Sequence, residues 1–180
     1  MKKIVALALM LCMLCGCAAM AEDMEQLLAL SWDELTPYLS DMGLVGDFDA
    51  LDLIGLKLFV PTSLVKAEVS EADAQAGRLA AYASAAGDNG FLVVDAVNLG
   101  ELTVDQWFEM VNSNEAMSDV RMDNMNGLTV VMYKNVVSDL WVCSLVDSNS
   151  NIITFSMGPA SEDGSEFVFN LLMKSLQAIE

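Results

Sequence analysis

The sequence predicts an α+β domain: a mostly antiparallel sheet flanked by helices. Three observations carry this. Short β-rich runs alternate with turn residues, most plainly on either side of Asn126-Gly127. Helical periodicity is confined to a few stretches, clearest at 104–112 and 161–179. The 180 residues suffice for one domain with a substantial core, and no repeat at solenoid spacing is present.

The chain begins with an address. Lys2 and Lys3 precede an unbroken apolar stretch from Ile4 to Leu14 and then small residues, the pattern of a secretory signal peptide over 1–21. Two processing routes fit. Ala19-Met20-Ala21 suits cleavage after Ala21, whereas Leu14-Cys15-Gly16-Cys17 is similar to a bacterial lipobox, with the signal ending at 16 and Cys17 lipidated. Cys15 departs from the small or β-branched residue usual in that box. Without residues 1–21 the chain has 6 basic and 26 acidic residues, so its net charge moves from -18 to -20. Cys12, Cys15 and Cys17 fall in the same segment, leaving an unlipidated exported chain with Cys143 alone and no internal disulfide.

Residues 22–45 form a helical N-terminal segment. Met24, Leu27, Leu28, Trp32, Leu35 and Leu39 recur near helical spacing, and Ser31 with Glu34 makes a capping box. Pro37 implies two short helices, or one helix broken near it. The segment either docks on the domain or spaces it from a membrane.

The α+β domain is expected over 46–180. Asp47 to Leu53 alternates, and Gly55 to Pro61 is β-rich, giving two strands separated by a bend. Ser70 opens a short capped helical turn. Arg78 to Ser84 and Phe91 to Val97 pair across Asp88-Asn89-Gly90. Thr103 and Gln106 form a second capping box, after which Val104, Trp107, Phe108 and Val111 line one helical face. A meander follows: Val120 to Met125, Leu128 to Lys134, Leu140 to Val146, and Ile152 to Met157 after a polar loop from Asp147 to Asn151. Gly158-Pro159 ends that strand, and 161–179 closes the chain as a helix with Phe169, Leu172, Met173, Leu176 and Ile179 on one face.

The strand ending in Pro61, the acid-rich turn after Ser70, the helix opened by Thr103, the Asn126-Gly127 strand start and the closing helix with Ser175 near its end together resemble the PsbP-like superfamily. That superfamily also holds the Ran-binding nuclear-import factor Mog. The order is similar, too, to small secreted bacterial domains of unassigned function. The resemblance covers about 46–180 and implies an α/β/α sandwich. Its members are mainly binding or assembly factors, so it implies interaction and supplies no catalytic residue.

The residue inventory narrows the chemistry. With no His there is no His-based triad, and zinc or copper sites lack both imidazole and paired thiols. A chain this acidic repels nucleic acid and anionic membrane surfaces. Ser63 and Lys66 have Ser-x-x-Lys spacing but stand in what reads as a strand exit, without companion motifs. Asp47, Asp49 and Asp52 could project together, yet alternation places Asp47 and Asp49 on the outer face of a half-buried strand. Asp147-x-Asn149-x-Asn151 starts like a calcium loop, but Ile152 replaces the required Gly and Gly158 the bidentate Glu. Cys143 lies in an apolar run and reads as a buried small hydrophobe.

The expected function is an exported, non-enzymatic binding or assembly module of the cell envelope or exterior. Its partner would be a protein or envelope component, with no nucleic acid, no cofactor, no metal, and membrane attachment only through Cys17. Two rivals remain: a small secreted hydrolase using carboxylates, and an acidic calcium-responsive domain.

Overall fold

The computed structural model describes residues 27, 29–41 and 43–179. In chain order the elements are α1 (Trp32–Leu39), β1 (Gly46–Leu51), β2 (Leu56–Pro61), β3 (Leu64–Ala67), α2 (Glu71–Gln75), β4 (Arg78–Ser84), β5 (Phe91–Asn98), α3 (Val104–Asn112), β6 (Met117–Met125), β7 (Leu128–Asn135), β8 (Leu140–Val146), β9 (Asn151–Gly158), α4 (Ser165–Lys174) and β10 (Gln177–Ala178). They build two antiparallel sheets: a small one ordered β1-β2-β10 and a large one ordered β3-β4-β5-β9-β8-β7-β6.

Alternation along the central strands divides the core into two layers. On β7, Val130 and Met132 join the main core, whereas Val131 and Tyr133 face the other way. The main core lies on the inner face of the large sheet, where Tyr82, Leu92, Cys143 and Phe155 meet Leu58 of the small sheet and Phe169, Leu172 and Met173 of α4. Burying each large apolar side chain here contributes roughly 1.5–3 kcal/mol. On the outer face, α3 sets Val104, Trp107, Phe108 and Val111 against Val131, Tyr133 and Val142. Trp107 Nε1 fixes α3 by donating to Ser144 Oγ at 2.7 Å, and Ser144 Oγ donates to Val131 O at 3.1 Å. α1 packs on the far side of the small sheet, its Trp32 ring 5.9 Å from Phe48 and 5.2 Å from Phe59. The result is the expected α+β, α/β/α arrangement.

Both capping boxes form. Ser31 N–H donates to Glu34 Oε2 at 3.0 Å, and Thr103 N–H donates to Gln106 Oε1 at 2.9 Å. The end of α4 is held from outside itself: Ser175 Oγ accepts from Phe59 N–H at 2.9 Å, and Asn126 Nδ2 donates to Lys174 O at 2.9 Å and Leu176 O at 2.8 Å. Asn126 and Gly127 have φ of 51° and 88°, the left-handed pair that a tight hairpin turn requires.

Three expectations are corrected. α1 is not broken at Pro37, because that residue sits late in the helix on an exposed side, where water can take up the Asp33 carbonyl its missing N–H leaves free. Leu64 to Ala67, read as a strand exit, is β3, an edge strand paired with β4. The closing helix ends at Lys174 and not 179: Gln177 and Ala178 pair with Lys57 and Leu56, and Ile179 N–H donates to Gly55 O at 2.9 Å. The open edge of β2 supplies backbone partners that outweigh the local helical period.

Candidate functional site

Cys17 and Ala21 lie outside the described residues. The other sequence candidates can be placed. Ser63 and Lys66 do not form a pair, because Lys66 Nζ is bonded to Asp49 Oδ2 at 2.7 Å. The aspartates of β1 also differ from expectation. Register sets Asp49 opposite Leu58, on the face turned toward the large sheet, while Asp47 and Asp52 are exposed. Asp49 is therefore not an outward residue; its carboxylate reaches β3 and β4 because the small sheet lies over them.

A shallow cleft of about 190 Å³ opens where the β1–β2 turn meets β3 and β4, lined by Leu51, Asp52, Leu53, Ile54, Lys66 and Leu79. Next to it, Asp49 Oδ2 accepts from Lys66 Nζ and from Tyr82 Oη, each at 2.7 Å. Burial works against the Asp49 charge, but donation from Lys66 and Tyr82 outweighs it and holds the carboxyl below the usual carboxylate range. Burial, and then the same carboxylate, pushes the Tyr82 hydroxyl up. A general base needs a pKa near the working pH and a free lone pair toward substrate. Asp49 is held in the opposite condition, as a structural tie.

The remaining candidates also fold into the framework. Asp147 Oδ1 accepts from the backbone N–H groups of Asn149 and Asn151, both at 2.8 Å, and Oδ2 accepts from Asn151 Nδ2 at 2.8 Å. The carboxylate thus closes its own hairpin loop. Cys143 is 0% exposed, and burial, followed by the charge of Asp123, pushes its thiol up to about 12. Its thiol stays protonated at neutral pH, whereas nucleophilic chemistry needs the thiolate.

The disposition of the cations was not visible in the sequence. All six basic residues beyond residue 21 are engaged by the protein itself. Lys57 lies 5.4 Å from the Phe48 ring centre, and Lys66 and Arg78 pair with Asp49 and Asp95. Arg121 donates to Asn170 Oδ1 at 2.7 Å, Lys134 to Ala160 O at 3.3 Å and Lys174 to Leu30 O at 3.3 Å. Among the described residues, Asp49 and Asp95 are the only acids in ion pairs, so the rest of the acidic surface is unneutralised. Apolar side chains stand out of it, Leu53 at 83% exposure and Val137 at 79% beside Val136 at 50%.

No family model matches the chain, and no curated protein matches it. Solved structures do. PsbP (CyanoP) from the cyanobacterium Synechocystis superposes with a TM-score of 0.50 at 14% identity, covering 73% of this chain and 91% of its own. The Ran-binding protein Mog1p of Saccharomyces cerevisiae superposes with a TM-score of 0.46 at 10% identity, covering 76% of this chain and 97% of its own. The chain has the PsbP-like fold that its sequence resembles. Among the described residues, no helix is long and apolar enough to cross a membrane.

Proposed function

We propose that the protein is an exported, non-enzymatic binding or assembly module of the bacterial cell envelope or exterior. The observation that carries this is the commitment of all six cations to internal contacts, which leaves an unneutralised acidic exterior. Such a surface favours a basic protein partner by long-range attraction. The reading agrees with what the PsbP-like resemblance implies, and the engaged state of Asp49 and Cys143 supports it by removing two candidate reactive groups.

Export rests on residues 1–21, with either Cys17 as a lipid anchor or Ala21 as the last residue removed. Mass spectrometry of the native protein tests it: a chain beginning at Glu22, or at a lipid-modified Cys17, is expected, and an intact Met1 in the cytoplasm would sink the idea. For binding, a cross-linked pull-down from the native envelope is expected to recover a stoichiometric partner. Turnover of a cell-wall polymer by the purified chain, with no partner recovered, would replace this function with a hydrolase.

A further inference from the structure

The outer face of the large sheet is only partly covered. α3 lies against β6 and β7, and its Trp107 reaches across to β8. Beyond β8 the same face continues through Ser156 on β9, Val93 on β5 and Ala81 on β4, which stand opposite one another in register. Their inward neighbours are sealed, with Leu92, Val94 and Phe155 at 0% exposure, whereas on the outer face Ala83 is exposed and Val97 is 46% exposed.

Ser156 adds an independent observation. It shares the outward side of the sheet with Val142 and Val93. Among the described residues no fully enclosed side-chain oxygen lacks a partner, so this hydroxyl, which bonds to no protein group, is reached by solvent and opens onto the face.

Charge and geometry describe that occupant. The floor's own charges, Arg78 and Asp95, pair with each other. Its rim carries the exposed acids Glu68 after β3, Asp88 in the β4–β5 turn, and Glu101 and Asp105 where the chain passes from β5 into α3. β4, β5 and β9 each have a strand on both sides, so none can be extended by strand addition. An element lying flat on them must satisfy its own backbone, as a helix does. Two strand spacings make the floor about 10 Å wide, close to one helix diameter. Phe91 to Val97 runs about 20 Å, the rise of about 13 helical residues.

We propose that the outer face of β4, β5 and β9 docks an amphipathic helix of a partner protein, laid beside α3, with an apolar stripe on the floor, a polar group meeting Ser156, and Lys or Arg along both flanks. The proposal rests on the binding function above and names its surface and partner chemistry.

A photo-crosslinking side chain placed at Ala83 or Val97, with Val137 as the control position, tests this in the cell that makes the protein. Adducts from Ala83 and Val97 are expected to carry the same Lys- or Arg-rich segment of helical periodicity. Thr154 lies on the same side of β9 as Ser156, opposite Asp95 of β5. Thr154→Arg should cut the yield of these adducts at least fivefold without moving the melting temperature by more than a few degrees, and Val97→Arg replaces it if that variant unfolds early. An adduct to a second copy of this chain, or to an acidic or extended segment, overturns the proposal. Adducts from Val137 alone overturn this face and leave the binding function standing. Absence of adducts from every position, with no partner recovered, overturns both.

Discussion

Tyr82 Oη donates a 2.7 Å hydrogen bond to Asp49 Oδ2, tying the edge of the small sheet to a tyrosine rooted in the core of the large one. Lys66 shares that oxygen, so the tie joins β1, β3 and β4 at one atom. Because Asp49 is held below the usual carboxylate range, its contribution is present above about pH 4, the ordinary value, and is lost as pH falls through the lower folded value. Tyr82→Phe is expected to cost about 1–2 kcal/mol at pH 7. In urea unfolding, the gap from the parent should narrow as the pH is taken below about 4. A gap that stays constant to pH 2 would show that Asp49 is not the partner that matters.

Asn126 is both a turn residue and the cap of a distant helix. Asn126→Asp keeps the turn geometry but replaces a donor with a carboxylate against two carbonyls at the negative end of α4. A loss of about 2 kcal/mol is expected, against about 1 kcal/mol for Asn126→Gly, which keeps the turn and loses only the cap. Amide hydrogen exchange should locate the weakening in the last turn of α4. Equal losses for the two variants would deny the electrostatic part.

Ser175 is fully buried and serves two backbone groups at once, accepting from Phe59 N–H and donating to Leu172 O at 2.6 Å. Ser175→Ala leaves a buried N–H without an acceptor and should cost about 1–3 kcal/mol. Protection of the Phe59 amide should fall more than that of its neighbours on β2. Unchanged protection at Phe59 contradicts this account.

Alkaline pH should destabilise the fold through two buried groups. Burial is the chief cause that pushes Cys143 and Tyr133 up, each to about 12. A folded value above the unfolded one gives stability that is complete below the unfolded pKa and declines above it. For Cys143 that decline starts near 9.0. Its slope is about 1.4 kcal/mol per pH unit. Cys143→Val should flatten the fall in urea midpoint between pH 9 and 10, before tyrosines contribute. An identical slope in the variant would remove Cys143 from the explanation.

Millimolar calcium should leave the melting temperature unchanged, since three N–H donors already occupy the Asp147 carboxylate. A rise of more than about 2 °C at millimolar calcium would restore the calcium-responsive reading.

Much of the fold was legible because its signals are local. The α3 bounds, both capping boxes, the Asn126-Gly127 hairpin and the limits of β8 all follow from residues within a few positions of one another. β3 escaped notice because four residues beginning after Pro61-Thr62-Ser63 show too short a period. β10 escaped because its partner β2 lies far upstream. The same limit applied to the candidate site. Asp49 looked like one more surface acid among 26, and no window of sequence reveals the tyrosine and lysine that meet it.

By itself, then, the sequence determined an acidic α+β chain without His, with two lysines and an apolar run at its start and Cys143 as the one cysteine beyond residue 21. Those properties belong to composition and to local spacing. Tertiary structure decided that the small sheet lies over β4, that every basic residue beyond 21 turns to the protein's own groups, and that the outer face of β4 and β5 stays partly exposed at Ala83 and Val97. These depend on which strands become neighbours, and strand neighbours are chosen by long-range burial and backbone pairing that no local pattern encodes.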